Sequence, residues 1–219
     1  MKQTTFASLT FDAKKKRTRR EVFLAEMDQV IPWSMLEAII ETHYPKAGRR
    51  GRPPMPLGTM PRIHFMQQWY ALSDPGMEDA LYEIESMRRF ARLDWGDDAL
   101  PDETTILKFR RLLETHDLAG RLLEAVNVHL GNQGLLLRQG TIMDATLIHA
   151  PSSTKNKDGK RDPDMRQTKK GNQYFFGMKA HIGVDVASGL VHTVTTTPAN
   201  TADVTQAERL LHGKEKSVW

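Results

Sequence analysis

The sequence predicts a two-part fold, in which an all-helical N-terminal half is followed by a strand-rich half that also contains a helix. Apolar residues recur at helical spacing as far as about Leu130, and the glycines at 131 and 134 end the last helix of this half. From Arg138 onward the pattern changes to β-branched and apolar runs of strand length. At 219 residues, the chain is long enough for one or two domains with a buried core.

Six stretches of the first half have helical spacing. The first two are separated at Ile31-Pro32, because a residue before proline avoids the helical region and proline itself suits a helix start. Residues 73–74 are predicted to form a turn, and residues 101–104 to open a helix. The predicted helices span residues 19–30, 32–44, 63–72, 78–92, 101–113 and 118–130.

The second half has the predicted order β-β-β-α. Its elements are strands at residues 141–148, 175–186 and 190–197 and a helix at residues 203–211. Ser188-Gly189 is typical of a hairpin turn between the second and third strands. Residues 151–173 are polar and lack hydrophobic periodicity, which predicts a mobile loop. Residues 217–219 begin a further apolar element.

Composition limits the kinds of site that the chain can form. The sequence contains no cysteine, which excludes disulfides and thiolate zinc sites, so any metal must be bound by oxygen or imidazole, as suits Mg²⁺ or Mn²⁺. No apolar run approaches the ~20 residues of a transmembrane helix. The basic N-terminus has the reverse order of a secretory signal, so we expect a cytoplasmic protein.

Positive charge is clustered. Six of the seven residues from Lys14 to Arg20 are Lys or Arg, a second cluster lies at residues 46–52, and a third extends from Lys155 to Lys170. Any one of them could be a solvated tail or loop, but three together favour phosphate binding and hence nucleic acid. The candidate DNA-binding residues are Lys14, Lys15, Lys16, Arg17, Arg19, Arg20, Arg49, Arg50, Arg52, Lys169 and Lys170.

Asp144 is the most informative polar residue because it lies within a predicted strand, on the face of Ile142, Thr146 and Ile148. On a buried face, an ionised carboxylate is costly unless it is paired or binds a metal. On a solvent face, it is merely exposed, and the alternation alone leaves both interpretations open.

The remaining polar residues carry weaker signals. His149, His181 and His192 lack the helical ligand spacing of a metalloprotease, and Asp185 precedes a turn that favours aspartate for local reasons. The sequence contains no P-loop, dinucleotide fingerprint or serine nucleophile elbow.

Long stretches of the sequence resemble the insertion-sequence-five group of bacterial DDE transposases. They include RTRREVFLAEMDQVIPW, HYPKAGRRGRPP, LSDPGMEDALYEIESMRRFARL, PDETTILKFRRLLE, QGTIMDATLIHAPSSTKNKDGKRDP, QTKKGNQYFFGMKAHIGVDVASGL and ANTADVTQAERLLHG, in this order. The resemblance implies a ribonuclease-H-like catalytic domain of chain order β-β-β-α-β-α. It also implies a homo-oligomer that acts with Mg²⁺ or Mn²⁺ on duplex DNA, namely the element's terminal inverted repeats and the target. A membrane is not among the expected partners.

The resemblance also assigns the catalytic carboxylates. Asp144, within Met143-Asp144-Ala145-Thr146, takes the place of the first catalytic aspartate and metal ligand. The second aspartate would follow a strand that begins near Val218-Trp219, and the glutamate would come later still, so we expect a C-terminally truncated, catalytically incomplete chain. The expected class is α + α/β, with a basic tail at residues 1–18, a helical DNA-binding or assembly domain at 19–134 and an incomplete ribonuclease-H-like domain at 138–219.

The sequence departs from similar transposases at three positions. Gly58 and Pro61 stand where those enzymes have a helix-favouring Glu and Leu, and Ala202 replaces a His. Within a helix, proline costs about 3 kcal/mol and glycine about 1 kcal/mol, although Pro61 could instead mark the helix start. Two other functions stay open, namely a non-enzymatic fragment that regulates or inhibits transposition and a helical repressor unrelated to transposition.

Overall fold

The structure is a computed structural model, and it describes residue 11 and residues 13–46, 48, 53–94, 99–152, 154 and 159–219. Within these residues, a series of helices precedes a mixed sheet. The chain divides into two compact units, Met1–Val126 and Asn127–Trp219. No helix in the described part of the chain combines the length and the apolar character that a membrane crossing requires.

Seven helices of the described residues precede the sheet. They are α1 (Arg19–Val30), α2 (Trp33–Glu41), α3 (Met60–Tyr70), α4 (Asp74–Glu83), α5 (Glu85–Phe90), α6 (Glu103–Thr115) and α7 (Leu118–Asn132). The strands that follow are β1 (Gly140–His149), β2 (Arg166–Lys170), β3 (Gln173–Asp185), β4 (Val191–Pro198) and β5 (Ser217–Val218). A 3₁₀ turn (Asp203–Gln206) and a short helix, α8 (Ala207–Leu210), lie between β4 and β5.

Local sequence signals account for several helix boundaries. Thr18 accepts a hydrogen bond from the backbone N–H of Glu21, and the Glu21 side chain accepts one from the N–H of Thr18, which forms a capping box. The Asp102 side chain caps α6 by accepting a hydrogen bond from the N–H of Thr105, and Ile31 is extended before Pro32. The helical stripes then meet in one core, in which Leu36, Ile63, Met66, Leu81 and Ile106 are fully buried.

The prediction of one helix over residues 78–92 was wrong. Ser73 is not part of a turn but the cap of α4, where its hydroxyl accepts from the N–H of Gly76, and the helix is then broken at Ile84. The Arg88 guanidinium donates to the carbonyls of Leu81 and Tyr82 at 2.8 and 2.7 Å, and so stabilises the carbonyls at the end of α4. These hydrogen bonds depend on the position of one side chain, and the sequence at the break contains no glycine or proline that would predict it.

Gly58 and Pro61 do not weaken a helix. Gly58 lies in the turn before α3, and Pro61 lies in the first turn of that helix, where its missing N–H would have no partner within the helix. The helix costs expected for these two residues therefore do not apply.

The sheet has the neighbour order β2-β3-β1-β5, and β4 also pairs with β3. Strands β1, β3 and β4 are antiparallel neighbours, whereas β5 is parallel to β1. The three predicted strands and the helical segment of the second half are present in the predicted order, with an additional strand, β2, after the first of them. A strand also forms at Ser217–Val218, near the expected position, and the predicted helix at 203–211 is part 3₁₀ and part α-helix.

One predicted loop is a strand. Residues 166–170, within the segment predicted to be a mobile loop, form β2 and pair antiparallel with Gln173 to Gly177 of β3. The turn between them is two residues long, and Gly171 has a φ of +60°, which glycine adopts without steric cost. This strand could not be predicted from its polar sequence, which has no apolar alternation. It forms because its backbone pairs with β3.

Candidate active site and nucleic-acid interface

Asp144 lies in the middle of β1 and its side chain is exposed, as are those of Ile142, Thr146 and Ile148 on the same face. The structure therefore selects the exposed alternative, and burial imposes no cost on this carboxylate. Asp144 Oδ1 accepts a hydrogen bond from the N–H of Ala145 at 2.8 Å, and no described residue forms an ion pair with it. Its other oxygen is available to an external ligand.

Strand β5 runs parallel to β1 and ends at the level of Thr141, three residues before Asp144. The N–H of Trp219 donates to the Thr141 carbonyl, and the Trp219 carbonyl accepts from the N–H of Met143, both at 3.0 Å. Trp219 is thus level with Ile142, two positions short of Asp144. A side chain carried two residues further along a parallel strand would lie opposite the Asp144 carboxylate.

A buried polar network anchors β5 against β1. Thr141, which has no exposed surface, donates through Oγ1 to Glu215 Oε1 at 3.2 Å and lies 3.1 Å from His192 Nε2. The same Glu215 oxygen accepts from the N–H of His212 at 2.6 Å. Strand β1, strand β4 and the segment before β5 therefore meet at one hydroxyl group.

The protonation states of this network are consistent with one another. Burial lowers the pKa of His192, and the nearby His212 and Arg138 lower it further. Neutral His192 can donate through Nε2 to Thr141 and accept at Nδ1 from the Thr193 hydroxyl at 2.8 Å. Burial alone would raise the pKa of Glu215, but its hydrogen bonds outweigh this effect and lower it, so Glu215 is the anionic acceptor.

We expect Thr141→Val to loosen β5. Valine has a similar shape but removes the partner of His192 Nε2 and one of the two hydrogen bonds to Glu215 Oε1, which costs about 1–3 kcal/mol. Hydrogen exchange at the backbone N–H groups of Met143 and Trp219 should then be about ten- to a hundredfold faster. Thr146→Val, on the exposed face of the same strand, is the matched control, and equal acceleration in both variants would contradict the anchoring role.

The other polar residues predicted from the sequence have local partners. Asp185 is buried and accepts from the N–H and hydroxyl of Ser188, as expected of a turn residue. Burial acts to raise the pKa of Asp185, but the hydrogen bonds from Ser188 and from the backbone of Arg138 and Leu137 together outweigh this effect and lower it. His181 is buried against the Thr197 hydroxyl at 2.8 Å, and the His149 ring meets Phe175 edge-on. None of these residues is brought to Asp144.

Sequence reasoning missed Thr141, His212 and Glu215. The only signal was proximity to the predicted strands, because Thr141 and Glu215 are 74 positions apart in the chain. Ala202, which stands where similar transposases have a histidine, precedes Asp203. The Asp203 carboxylate forms an ion pair with Lys179 at 2.8 Å. Nothing in the structure explains what a histidine at position 202 would add.

The described residues supply one carboxylate at this place. No group of three or more histidine, aspartate or glutamate side chains within the described ranges is arranged to hold a metal ion. A pair of divalent ions about 3.5–4 Å apart requires several oxygen ligands around the scissile phosphate. Asp144 therefore fits the role of one ligand, but the described residues do not fit a complete two-metal site.

The N-terminal basic cluster is exposed at the start of α1. Lys14 forms an ion pair with Glu21 and its ammonium group lies 3.6 Å from the centre of the Phe11 ring, whereas the Arg20 guanidinium lies 5.5 Å from the Tyr70 ring. No described acidic group forms an ion pair with Lys15, Lys16, Arg17 or Arg19. Phosphate oxygens can reach these four directly, whereas Lys14 would first have to leave Glu21.

The other basic candidates lie in separate places. Lys169 and Lys170 are exposed on β2. Arg49, Arg50 and Arg52 lie outside the described residues. The structure therefore describes candidate phosphate contacts in each of the two units, and within the second unit it places Lys169 and Lys170 on a different strand from Asp144.

Comparison with protein families gives two matches. Residues 11–112, which carry helices α1 to α5 and most of α6, match a transposase domain (DUF772). Residues 136–219, which carry β1 to β5 and Asp144, match a transposase DDE domain. The chain belongs to a DDE-type transposase family. No solved structure matched the chain.

The family accounts for the arrangement of the second unit of the transposase. A DDE domain implies a ribonuclease-H-like fold and dependence on divalent metal. In this transposase the three antiparallel strands, the helical segment and the parallel β5 beside β1 are compatible with that fold. The exposed aspartate on β1 lies within the matched region, next to the parallel strand pair.

Proposed function

We propose that this chain is a transposase of the insertion-sequence-five group, which binds the terminal inverted repeats of its element and contributes Asp144 to metal-dependent strand cleavage and transfer. The observation that supports this most strongly is the place of Asp144, exposed in the middle of β1 and three residues past the level at which the parallel β5 ends. A carboxylate opposite Asp144 on a continuation of this parallel strand would share a metal ion with it. Oxygen ligands of this kind suit Mg²⁺ or Mn²⁺.

We assign DNA binding and metal binding to different residues. We assign phosphate binding to Lys14, Lys15, Lys16, Arg17, Arg19 and Arg20 at the first helix, to Arg49, Arg50 and Arg52, and to Lys169 and Lys170 on β2. Asp144 would supply negative oxygen to a divalent ion, which neutralises charge on the scissile phosphate. We also propose that the protein acts as a homo-oligomer on element ends and target. In this proposal the basic tail is residues 1–18. The DNA-binding or assembly region is residues 19–134, and the catalytic region is residues 138–219.

Strand cleavage of a duplex that carries the element ends tests this function. We expect cleavage to require Mg²⁺ or Mn²⁺ and a polypeptide in which the DDE domain continues past Trp219, because one carboxylate cannot fix two metal ions. Cleavage that persists in excess chelator would contradict the proposal. So would a polypeptide of this kind that neither binds nor cuts the element ends.

A non-enzymatic role is the second candidate. The absence of a three-ligand group among the described residues favours it for residues 1–219 taken alone. Such a fragment would bind the element ends, or pair with a complete enzyme, and inhibit transposition. It would lower the cleavage rate of a complete enzyme when added in excess, whereas a merely inactive chain would leave that rate unchanged.

We expect binding to duplex DNA to fall steeply with salt, because the basic residues displace counterions from phosphates. Replacing the six basic residues from Lys14 to Arg20 with alanine should reduce the slope of log affinity against log salt by up to about 5, at roughly 0.9 for each contact. The loss should be the same on all DNA sequences. Fluorescence anisotropy at several salt concentrations measures both quantities.

The control exchanges each lysine of this cluster for arginine and each arginine for lysine, which preserves charge. This variant should keep the slope of the unmodified chain. An affinity that does not change between low and moderate salt would contradict the electrostatic account.

A further inference from the structure

Strand β2 and the start of β3 form a two-stranded ribbon that extends past the rest of the sheet. Strand β1 pairs with β3 only from Gly177 onward, and β4 only from Met178. Residues 173–176 of β3 therefore have β2 as their only strand partner among the described residues. The ribbon, defined here as residues 166–176, closes through the two-residue turn at Gly171-Asn172.

The ribbon is positively charged and exposed. Residues 165–184 contain no acidic residue, and within the ribbon they carry Arg166, Lys169 and Lys170. Four of the five residues of β2 are exposed. The Arg166 guanidinium donates to the carbonyls of Pro163 and Met165, so it holds the base of the ribbon, whereas the two lysines near the turn point to solvent.

Tyr174 makes the ribbon more than a charged loop. It pairs in register with Lys169, whose ammonium group lies 5.6 Å from the ring centre, and 65% of the tyrosine is exposed. The Tyr174 ring is therefore an exposed apolar surface beside the positive charges of Lys169 and Lys170. An isolated two-stranded hairpin is only marginally stable in water, and the one side chain that this ribbon buries is Phe176, at its base.

Shape and charge identify the partner. Paired strands lie about 4.8 Å apart, so a two-stranded ribbon fits the major groove of B-form DNA, about 12 Å wide. The groove is bordered by phosphates within reach of lysine side chains. A protein partner that adds a strand to the edge of β2 fits less well, because lysines on an edge strand oppose such pairing.

We propose that the ribbon is a DNA-reading arm that enters the major groove, with Lys169 and Lys170 on the flanking phosphates and Tyr174 against the base edges. This inference rests on the proposed function, since it takes duplex DNA as the substrate. Tyr174 would add a contact with the bases that does not depend on charge. The two lysines, which contact only phosphates, cannot distinguish one base from another. The arm joins the sheet at Gly177, which pairs with His149 at the end of the strand that carries Asp144.

The test measures DNA affinity against salt concentration for two kinds of variant in the full chain. The double variant Lys169→Ala/Lys170→Ala should reduce the slope of log affinity against log salt by about 2, at roughly 0.9 for each phosphate contact. Tyr174→Ala should weaken binding by about tenfold at every salt concentration and leave the slope unchanged, since it removes no charge. Tyr174→Phe keeps the ring and should bind within about twofold of the unmodified chain.

Tyr82→Ala, at a half-exposed tyrosine of α4, is the matched control and should bind as the unmodified chain does. Equal binding by Tyr174→Ala and the unmodified chain would overturn the arm, and so would duplex RNA that competes as well as DNA, because its major groove is too narrow to enter. If the lysine variant alone changes affinity, the ribbon is a phosphate contact and not a groove reader, which also overturns the proposal. Failure of the unmodified chain to bind DNA would instead contradict the proposed function.

Discussion

Asp144→Asn is expected to abolish metal-dependent strand cleavage in a polypeptide that carries this sheet together with the remaining carboxylates of a DDE site. Asparagine keeps the shape of the side chain and can still accept from the N–H of Ala145 through its amide oxygen. It loses the negative charge that holds a divalent ion. Loss of one electrostatic group at a reacting centre costs on the order of 10²–10³-fold in rate, and we expect at least this much for a metal ligand.

The experiment compares three polypeptides on DNA with matched element ends. Residues 1–219 alone should not cut, the extended polypeptide should cut, and Asp144→Asn within the extended polypeptide should not cut. Asp164→Asn is the matched control, because Asp164 is an exposed aspartate of the same unit and should leave activity unchanged. Cutting by residues 1–219 that disappears in Asp144→Asn would show that this chain completes its own site.

The strand that carries Asp144 could be predicted because its signal is local. A run of β-branched and apolar residues fixes both the strand and the face on which Asp144 lies, and observed β1 extends the predicted strand by one residue at each end. The helices up to α7, apart from the pair α4 and α5, follow in the same way from their apolar spacing. Whether that face of β1 is covered depends on what packs on it, so the alternation could not distinguish an exposed carboxylate from a buried one.

The features that were missed depend on contacts that the apolar spacing of the sequence does not encode. Strand β2 has no apolar alternation, and it forms because β3 offers its edge across a two-residue turn. The break between α4 and α5 depends on where the Arg88 side chain finds its acceptors. The network of Thr141, His192 and Glu215 joins three segments that are adjacent only in the folded sheet.

Gly177→Ala is expected to cause a large loss of stability in the second unit. Gly177 pairs with His149 of β1 and with Arg166 of β2, so three strands meet at this residue. A Cβ at this position would lie 2.0 Å from the Ile148 carbonyl oxygen, and the φ of +155° is one that residues with side chains rarely adopt. The backbone of β1 would have to move, because the clash is with main chain and not with the end of a flexible side chain.

We expect the free energy of unfolding to fall by about 3 kcal/mol or more, since overpacking and a strained backbone each cost about 1–3 kcal/mol. Urea unfolding of the full chain, followed by the circular dichroism of its strands, measures this loss. Gly189→Ala is the matched control, because Gly189 has a φ of +70° and a Cβ added there would meet no described atom within 4 Å. It should lose only the ~1–2 kcal/mol of a left-handed residue. Equal losses in the two variants would mean that β1 can move at Gly177, and the joint between the ribbon and the strand of Asp144 would then not be rigid.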